Sequence, residues 1–367
     1  MKLTKRVFCA VIVAVMLLSM VLTGCSPKLI IGGTPDVAGT VAGKEISTGD
    51  YLAYLYNTFY NMYYDQGLYY YEAYGMDPWT QQFTYGEGED APKVELSEYI
   101  TLQTKDTIVR QEALTQMLEK HNISWIAEEE KDINKELGEM TDNNFIDLGF
   151  TNDKFVSAYK NLYLNERSLF FGLYGKGGER EVKEKTLKEY FEKNYVSYKI
   201  ISIDLTDKDG KELKKDEQKK ITDQLNGYLE QYNKDKNFEK VVDAYNKANA
   251  AKDEKVEASK DEDNRVSGDA TDMDADLVEA IRKVEVGTAK VVTYKAGGKT
   301  PTAALILRLD INDKKLKLYE DSEETILQTL KYEEFDKEVT EATKKIQADF
   351  NESVIKKCKP ENFLSVG

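Results

Sequence analysis

The side chains that most often carry out catalysis are scarce in this chain of 367 residues. His121 is the only histidine, and it lies at the predicted end of a long helix, where a capping or surface role is favoured over acid–base chemistry. Cys358 lies between lysines near the carboxyl end, with no histidine near it in the sequence to act as its base. No P-loop, G-x-S-x-G, zinc-cluster or H-E-x-x-H pattern is present. We therefore expect no catalytic residue, no cofactor and no bound metal.

Three aspartates have the spacing that begins a calcium-binding loop. Asp272, Asp274 and Asp276 occupy the first, third and fifth positions of an EF-hand pattern. Leu277 stands where that loop requires glycine, and Lys283 stands where a glutamate closes the site. A solvated acidic loop is the simpler interpretation. Because the chain contains 66 aspartates and glutamates, spacing alone does not single out a catalytic carboxylate pair.

Cys25 follows an amino-terminal segment with the features of an export signal. A basic start is followed by an almost wholly apolar run over 7–21, which is shorter than the roughly 20 residues of a membrane-spanning helix. The run ends in the letters LTGC, which resemble the lipobox at which lipoprotein signals are cleaved. We expect a signal peptide over 1–24, lipid attachment to Cys25, and an extracytoplasmic, lipid-anchored location at the cell membrane. An ordinary secretory signal or an uncleaved anchor helix is the alternative.

The charge of the chain restricts its partners. The formal net charge of −15 at pH 7 becomes −18 once the three positive charges of the signal are removed. Such a surface repels nucleic acid and anionic lipid headgroups, so we expect no nucleic-acid partner and attachment to the membrane through the lipid alone. Residues 25–39 are rich in glycine and proline and are expected to form a flexible tether.

Hydrophobic periodicity predicts a largely helical region over 40–194. After a short strand-like stretch, Ser47 has the character of a cap for a helix that begins near Gly49. A loop over 75–92 leads into a long helix that begins near Leu96, and three further helices follow. Short connections between these helices indicate that they pack on one another.

Ten tyrosines lie between residues 51 and 74. One interpretation is a helix that packs an aromatic stripe into the core. The other is a surface that binds apolar segments of another protein, because tyrosine offers a large contact area at low entropic cost. The candidate binding residues are Tyr51, Tyr54, Leu55, Phe59, Met62 and Tyr63. The two interpretations can hold for different faces.

The order of these segments resembles that of a known family. The segment VAGKEISTGDYLAYL is similar to the opening of the helical chaperone domain in PrsA and SurA type foldases. IVRQEALTQMLEKHNISWIAEEEKDINKEL is similar to the second helix, turn and third helix of that domain. LGFTNDKFVSAYKN and VKEKTLKEYFEKNY then follow in the family's order. The resemblance implies a protein whose partners are unfolded or nascent exported proteins.

From residue 195 the predicted elements change to the succession β, α, α, α, β, β. This succession is that of a parvulin prolyl isomerase domain, and three segments resemble its motifs: NFEKVVDAYN, LVEAIRKVEVGTAKVV and AALILRLD. Active members carry a histidine in the first strand and another in the last. The alignment puts Ile200 and Leu305 at those positions, and an aliphatic side chain cannot donate a hydrogen bond. In place of the family's central loop lies the polar, charged segment 248–273, which we expect to be mobile.

Prolyl isomerisation has a barrier of about 20 kcal/mol and needs a preformed pocket, so we expect this activity to be weak or lost. The expected fold is α+β, with a mostly helical chaperone lobe formed by 40–194 and the carboxyl-terminal segment 313–367. A small, degenerate parvulin-like module over 195–312 is inserted between them. The carboxyl-terminal segment is expected to be a helix that continues to about Phe350. The expected function is that of a membrane-tethered extracytoplasmic chaperone that holds unfolded exported proteins. The alternatives are an active prolyl isomerase with a divergent pocket and a surface ligand-binding lipoprotein of unrelated fold.

Overall fold

The computed structural model describes residues 37–65, 67–88, 90–138, 145–250, 258–260 and 264–366. The predicted signal peptide, most of the predicted tether and Cys25 therefore lie outside the described residues. The chain divides into two units. The first is formed by residues up to Glu181 and from Thr329 onward, and the second by Val182–Gln328.

The helices are numbered in chain order. They span Thr48–Tyr60 (α1), Tyr69–Ala73 (α2), Leu96–His121 (α3), Ala127–Leu137 (α4), Asn152–Tyr174 (α5), Glu184–Asn194 (α6), Lys215–Asp235 (α7), Phe238–Asn249 (α8), Ala275–Arg282 (α9), Leu318–Thr343 (α10) and Glu352–Ile355 (α11). A π-helical turn, Asn61–Asp65, extends α1.

The strands are shorter than the helices. They span Val37–Val41 (β1), Lys44–Ser47 (β2), Gln82–Thr84 (β3), Lys93–Glu95 (β4), Tyr195–Asp204 (β5), Arg265–Asp269 (β6), Ala289–Ala296 (β7), Thr300–Arg308 (β8) and Ala348–Phe350 (β9). The pair β3 and β4 forms a small hairpin, which accounts for part of the predicted loop over 75–92.

Helix α1 is the centre of the first unit. It begins as predicted, because the Ser47 side chain accepts a hydrogen bond from the backbone of Asp50 and the Asp50 side chain accepts one from Ser47. Helices α3 and α5 pack against it. Because neighbours surround α1 on nearly all sides, nine of its thirteen residues are buried. The helix is therefore a core element.

The two ends of the chain meet in one sheet of the first unit. Strand β1 pairs with β2 on one side and with β9 on the other, in the order β2-β1-β9. Gly39 lies opposite Phe350 in the antiparallel register, and the backbone N–H of Asn351 donates to the carbonyl of Ala38 at 2.8 Å. Further along the chain end, the ring of Phe335 in α10 is fully buried and lies 5.3 Å from that of Phe170. This arrangement confirms the prediction of a helical lobe built from both chain ends.

The second unit is built on a four-stranded antiparallel sheet with the order β6-β5-β8-β7. Helices α7 and α8 cover one face, where Ile201, Leu225 and Val241 are buried together. Helix α9 covers the other face, where Ile281 packs with Ile306. An antiparallel sheet with helices on its faces agrees with the predicted parvulin-like module and gives an α+β fold overall.

Besides β3 and β4, two further strands were not predicted. Residues 265–269 lie in the segment expected to be mobile, yet they form β6 because they pair with Tyr195–Lys199 at the edge of β5. The last helix was expected to continue to about residue 350, but α10 ends at Thr343 and β9 follows. Both strands are formed by pairing with distant residues, so local periodicity does not indicate them.

The two units divide the chain at residues 181/182 and 328/329, whereas the sequence placed the boundaries at 194/195 and 312/313. Helix α6 accounts for the first difference. Its Phe191 ring lies 4.8 Å from that of Tyr195 and 5.5 Å from that of Tyr319, so α6 packs within the second unit. The second division falls inside helix α10.

Candidate functional site

The six predicted client-binding side chains are buried. Tyr51, Tyr54, Leu55, Phe59, Met62 and Tyr63 all belong to the main core of the first unit. These residues therefore fill the core and do not form an exposed surface. Of the two interpretations drawn from the sequence, the one that holds for them is an aromatic stripe packed into the core. Burial also raises the pKa of Tyr54 to about 12, because removal from water penalises the phenolate.

The aromatic core continues toward the surface through stacked rings. The Phe59 ring is stacked on that of Tyr63 at 5.3 Å between centroids, and Trp79 is stacked at 6.2 Å from each of them. The Tyr64 ring lies 4.6 Å from that of Tyr60. Offset and tilted ring pairs of this kind contribute beyond simple area burial, so the rings form a rigid support.

Four large side chains just beyond this support are exposed. Their exposed fractions are 37% for Tyr69, 54% for Tyr70, 78% for Tyr74 and 46% for Met76. The rings of Tyr69 and Tyr70 lie 4.2 Å apart, and the Tyr69 ring lies 6.2 Å from that of Tyr64. We call these four residues the aromatic patch. Exposed large side chains grouped in one short stretch mark binding surfaces more often than isolated ones do.

Two glycines flank the short helix α2, which carries Tyr69 and Tyr70 of the patch. Gly67 has φ of +77°, and its carbonyl accepts a hydrogen bond from the backbone of Tyr70 at 3.0 Å. Gly75 has φ of +71°, and the next residue, Met76, donates to the carbonyl of Tyr71 at 2.8 Å. Residues other than glycine rarely adopt such backbone conformations. The turns therefore separate the patch tyrosines from those buried in α1.

The stretch of sequence that contains the patch is acidic. Residues 61–92 contain six aspartates and glutamates and no lysine or arginine. Asp77, Glu87 and Asp90 in this stretch are exposed. Tyrosine is uncharged at neutral pH, and a hydrogen bond with Tyr70 raises the pKa of Tyr69 further above its ordinary value. The patch thus combines neutral aromatic faces with negative charge.

A cleft of about 160 Å³ lies in the first unit between α1, α3 and α5. Its polar side chains pair mainly with one another: Lys154 contacts Asp50 at 2.8 Å, and Asn161 donates to the Tyr54 hydroxyl at 2.9 Å. Beneath it, Asn165 donates to Gln111 at 3.0 Å. These bonds join the three helices, so we regard the cleft as part of the scaffold.

In the second unit, the two positions aligned with the family histidines lie on opposite faces of the sheet. Ile200 is opposite Ile306 in the strand register and packs on the face covered by α9. Leu305 is opposite Ile201 and is fully buried on the face covered by α7 and α8. The aligned positions therefore do not form a cross-strand pair. Each is aliphatic, and so is the residue opposite each of them.

The other residues considered for chemistry have structural contacts. His121 lies at the end of α3, with Nδ1 at 2.8 Å from a carboxylate oxygen of Glu179. Burial raises the pKa of the Cys358 thiol to about 11, so this cysteine stays protonated. Asp274 accepts a hydrogen bond from the backbone of Leu277 at 2.8 Å and caps α9.

Neither a metal site nor a membrane span is found in the described part of the chain. Over those ranges no group of three or more histidines, cysteines, aspartates and glutamates is arranged to hold an ion. Among the same residues, no helix has both the length and the apolar character needed to cross a bilayer.

Comparisons with known proteins give structural neighbours only. No family model matches the chain, and no curated protein matches it. A crystal structure of foldase protein PrsA from Lactococcus lactis aligns with a TM-score of 0.32 and 12% identity, covering 74% of this chain and 94% of that one. PrsA from Streptococcus pneumoniae aligns with a TM-score of 0.25 and 13% identity, covering 72% and 88%.

The peptidylprolyl isomerase PrsA from Bacillus cereus aligns with a TM-score of 0.30 and 15% identity, covering 71% of this chain and 89% of that one. These structures come from the foldase family that the order of sequence segments resembles.

Proposed function

We propose that this chain is a membrane-tethered extracytoplasmic chaperone that holds unfolded exported proteins on the aromatic patch of its first unit. The observation that carries the proposal is the exposure of four large side chains within eight residues, directly beside a rigid aromatic core. Exposed apolar side chains do not stabilise the fold, because only buried apolar surface does so. They favour association with apolar groups of another molecule.

Holding by this surface would be reversible. Contact with a few hundred Å² of apolar surface, at about 25 cal/mol per Å², contributes on the order of 5–10 kcal/mol before the costs of association. Lost translational freedom and ordering of the client offset most of that gain. Weak, reversible contact needs neither nucleotide nor metal. The client dissociates when it folds, because its apolar side chains are then buried in its own core.

We further propose that prolyl isomerase activity is weak or lost in the second unit. His121 belongs to the first unit, so the second unit contains no histidine. Both faces of its sheet are covered by helices, and Ile200 and Leu305 face opposite sides. These features support the loss of the histidine-based pocket, and exchange spectroscopy on a proline peptide tests it directly.

Acylation of Cys25 belongs to the same proposal. It would keep the patch close to the membrane surface at which exported clients emerge. Metabolic labelling with a fatty acid tests this part: label should be incorporated by the natural chain and absent from the Cys25→Ala variant.

The holding function is tested with the chain Ser26–Gly367, which lacks the lipid. At near-stoichiometric amounts it should slow the aggregation of an unfolded client protein, measured by light scattering. The double variant Tyr70→Ser with Tyr74→Ser should lose at least half of this effect. The matched control is Ile146→Ser, which removes another apolar side chain of the first unit that is 54% exposed.

Circular dichroism should show that all three proteins are folded, since the substituted residues are exposed. Equal protection by the double variant and the control would show that the patch does not hold the client. If the natural chain protects none of several clients from aggregation, the proposed function itself is refuted.

A further inference from the structure

We infer that the aromatic patch selects basic client segments, that is, unfolded stretches with an excess of lysine and arginine. The inference rests on the proposed holding function and adds the class of client to it.

The negative charge of the protein is concentrated in the unit that carries the patch. Residues 37–181 and 329–367 contain 33 acidic and 19 basic side chains, whereas 182–328 contain 32 and 28. Within the first unit, the stretch 61–92 around the patch has six acidic residues and no basic residue. A surface with one sign of charge raises the local concentration and the association rate of oppositely charged partners.

The chemistry of the patch side chains favours cations at short range as well. The face of a tyrosine ring attracts an ammonium or guanidinium group, and each exposed contact contributes about 0.5–1 kcal/mol. The first unit already contains such contacts, since the Arg167 guanidinium lies 4.5 Å from the centroid of the Phe171 ring. For the patch tyrosines, no cation over the ring is found within the residues that the structure describes.

Exposed carboxylates in the same stretch of the chain add to this preference. Asp77 directly follows Met76 and is exposed, although one of its oxygens accepts a hydrogen bond from the backbone of Trp79 at 3.0 Å. Glu87 and Asp90 are exposed in the turn of the β3–β4 hairpin. A lysine or arginine beside an apolar residue of the client can therefore meet a ring face and a carboxylate, whereas a client glutamate meets like charge.

Binding of three fluorescent peptides tests the inference. The peptides share the same tyrosines and leucines and differ only in the intervening residues, which are lysine, glutamine or glutamate. Fluorescence anisotropy should show about tenfold tighter binding of the lysine peptide than of the glutamate peptide at low salt, with the glutamine peptide between them. The difference should shrink at high salt, because salt screens the charges.

A charge-removing variant locates the effect. The triple variant Asp77→Asn, Glu87→Gln and Asp90→Asn should reduce the ratio of the affinity for the lysine peptide to that for the glutamine peptide. The control carries the same change of charge elsewhere on the exposed surface of the first unit, through Glu119→Gln, Glu128→Gln and Asp132→Asn, and should keep the preference.

The possible outcomes separate the inference from the function on which it rests. Equal affinity for the three peptides, or equal loss of preference in both variants, would overturn the inference and leave the holding function intact. If the chain binds none of the peptides and protects no client from aggregation, the holding function fails together with the inference.

Discussion

Substitution of Gly39 tests the closure of the first unit by the two chain ends. A Cβ atom at this position would lie 2.5 Å from the carbonyl oxygen of Asp349 and 2.9 Å from the Cα atom of Phe350. Both are backbone atoms, so no side-chain rotation relieves the clash and β9 must move away from β1. Overpacking of this kind costs about 1–3 kcal/mol. Gly39→Ala should therefore destabilise the first unit by this amount.

Hydrogen exchange followed by mass spectrometry is the appropriate assay, because it reports on each segment separately. The amides of 348–366 should exchange faster in Gly39→Ala, since β9 is the link between β1 and the carboxyl-terminal turns. Gly227→Ala is the matched control: a Cβ at this exposed position in α7 meets no atom within 4 Å. That change should stabilise the second unit by about 0.5–1 kcal/mol. Unchanged protection of 348–366 in Gly39→Ala would refute the closure.

Three further predictions concern buried groups. Lys199 is buried and forms an ion pair with Glu239, so Lys199→Met should destabilise the second unit by about 3 kcal/mol, and adding Glu239→Leu should restore much of that loss in thermal unfolding. Because the pKa of Tyr54 rises to about 12 from roughly 10 in the unfolded chain, its contribution to stability is complete below pH 10 and is lost as the pH rises toward 12. The unfolding temperature should fall over that range, and less steeply in Tyr54→Phe. Histidines introduced by Ile200→His and Leu305→His should give no isomerase activity by exchange spectroscopy, because they face opposite sides of the sheet, and Leu305→His alone should lower the unfolding temperature.

The fold of the first unit could largely be predicted from local signals. The Ser47 and Asp50 pair that starts α1 is a capping box readable in the sequence, and α3 begins at Leu96 as its periodicity indicates. Strand β9 was missed because its three residues are extended only through pairing with β1, about 300 positions earlier in the chain. Contacts of such long range leave no local pattern. The same reason explains β6, whose sequence RVSGD has little intrinsic preference for a strand.

The aromatic patch was harder to predict than the fold. Ten tyrosines in one stretch indicated an aromatic surface, but their spacing did not show which rings are exposed, because α1 is surrounded by neighbours on nearly all sides. The separation occurs at Gly67, after which the chain turns, and Tyr70 in α2 and Tyr74 just after it are exposed to solvent. The available signal was Gly67, a glycine inside a run of aromatic residues. It divides the buried aromatic stripe of α1 from the exposed tyrosines that follow.

The placement of the patch on a rigid core has a consequence for binding. The rings of Tyr60, Tyr64, Tyr69 and Tyr70 form a continuous series with centroid distances of 4.6, 6.2 and 4.2 Å. A platform held in this way loses little freedom when a client binds, so the ordering cost falls mainly on the client. Ring faces and carboxylates do not require one client sequence, because any apolar or cationic side chain can contact them. A patch that is already ordered and requires no particular client sequence is therefore consistent with the proposed function, in which the protein holds many unfolded segments and releases each as it folds.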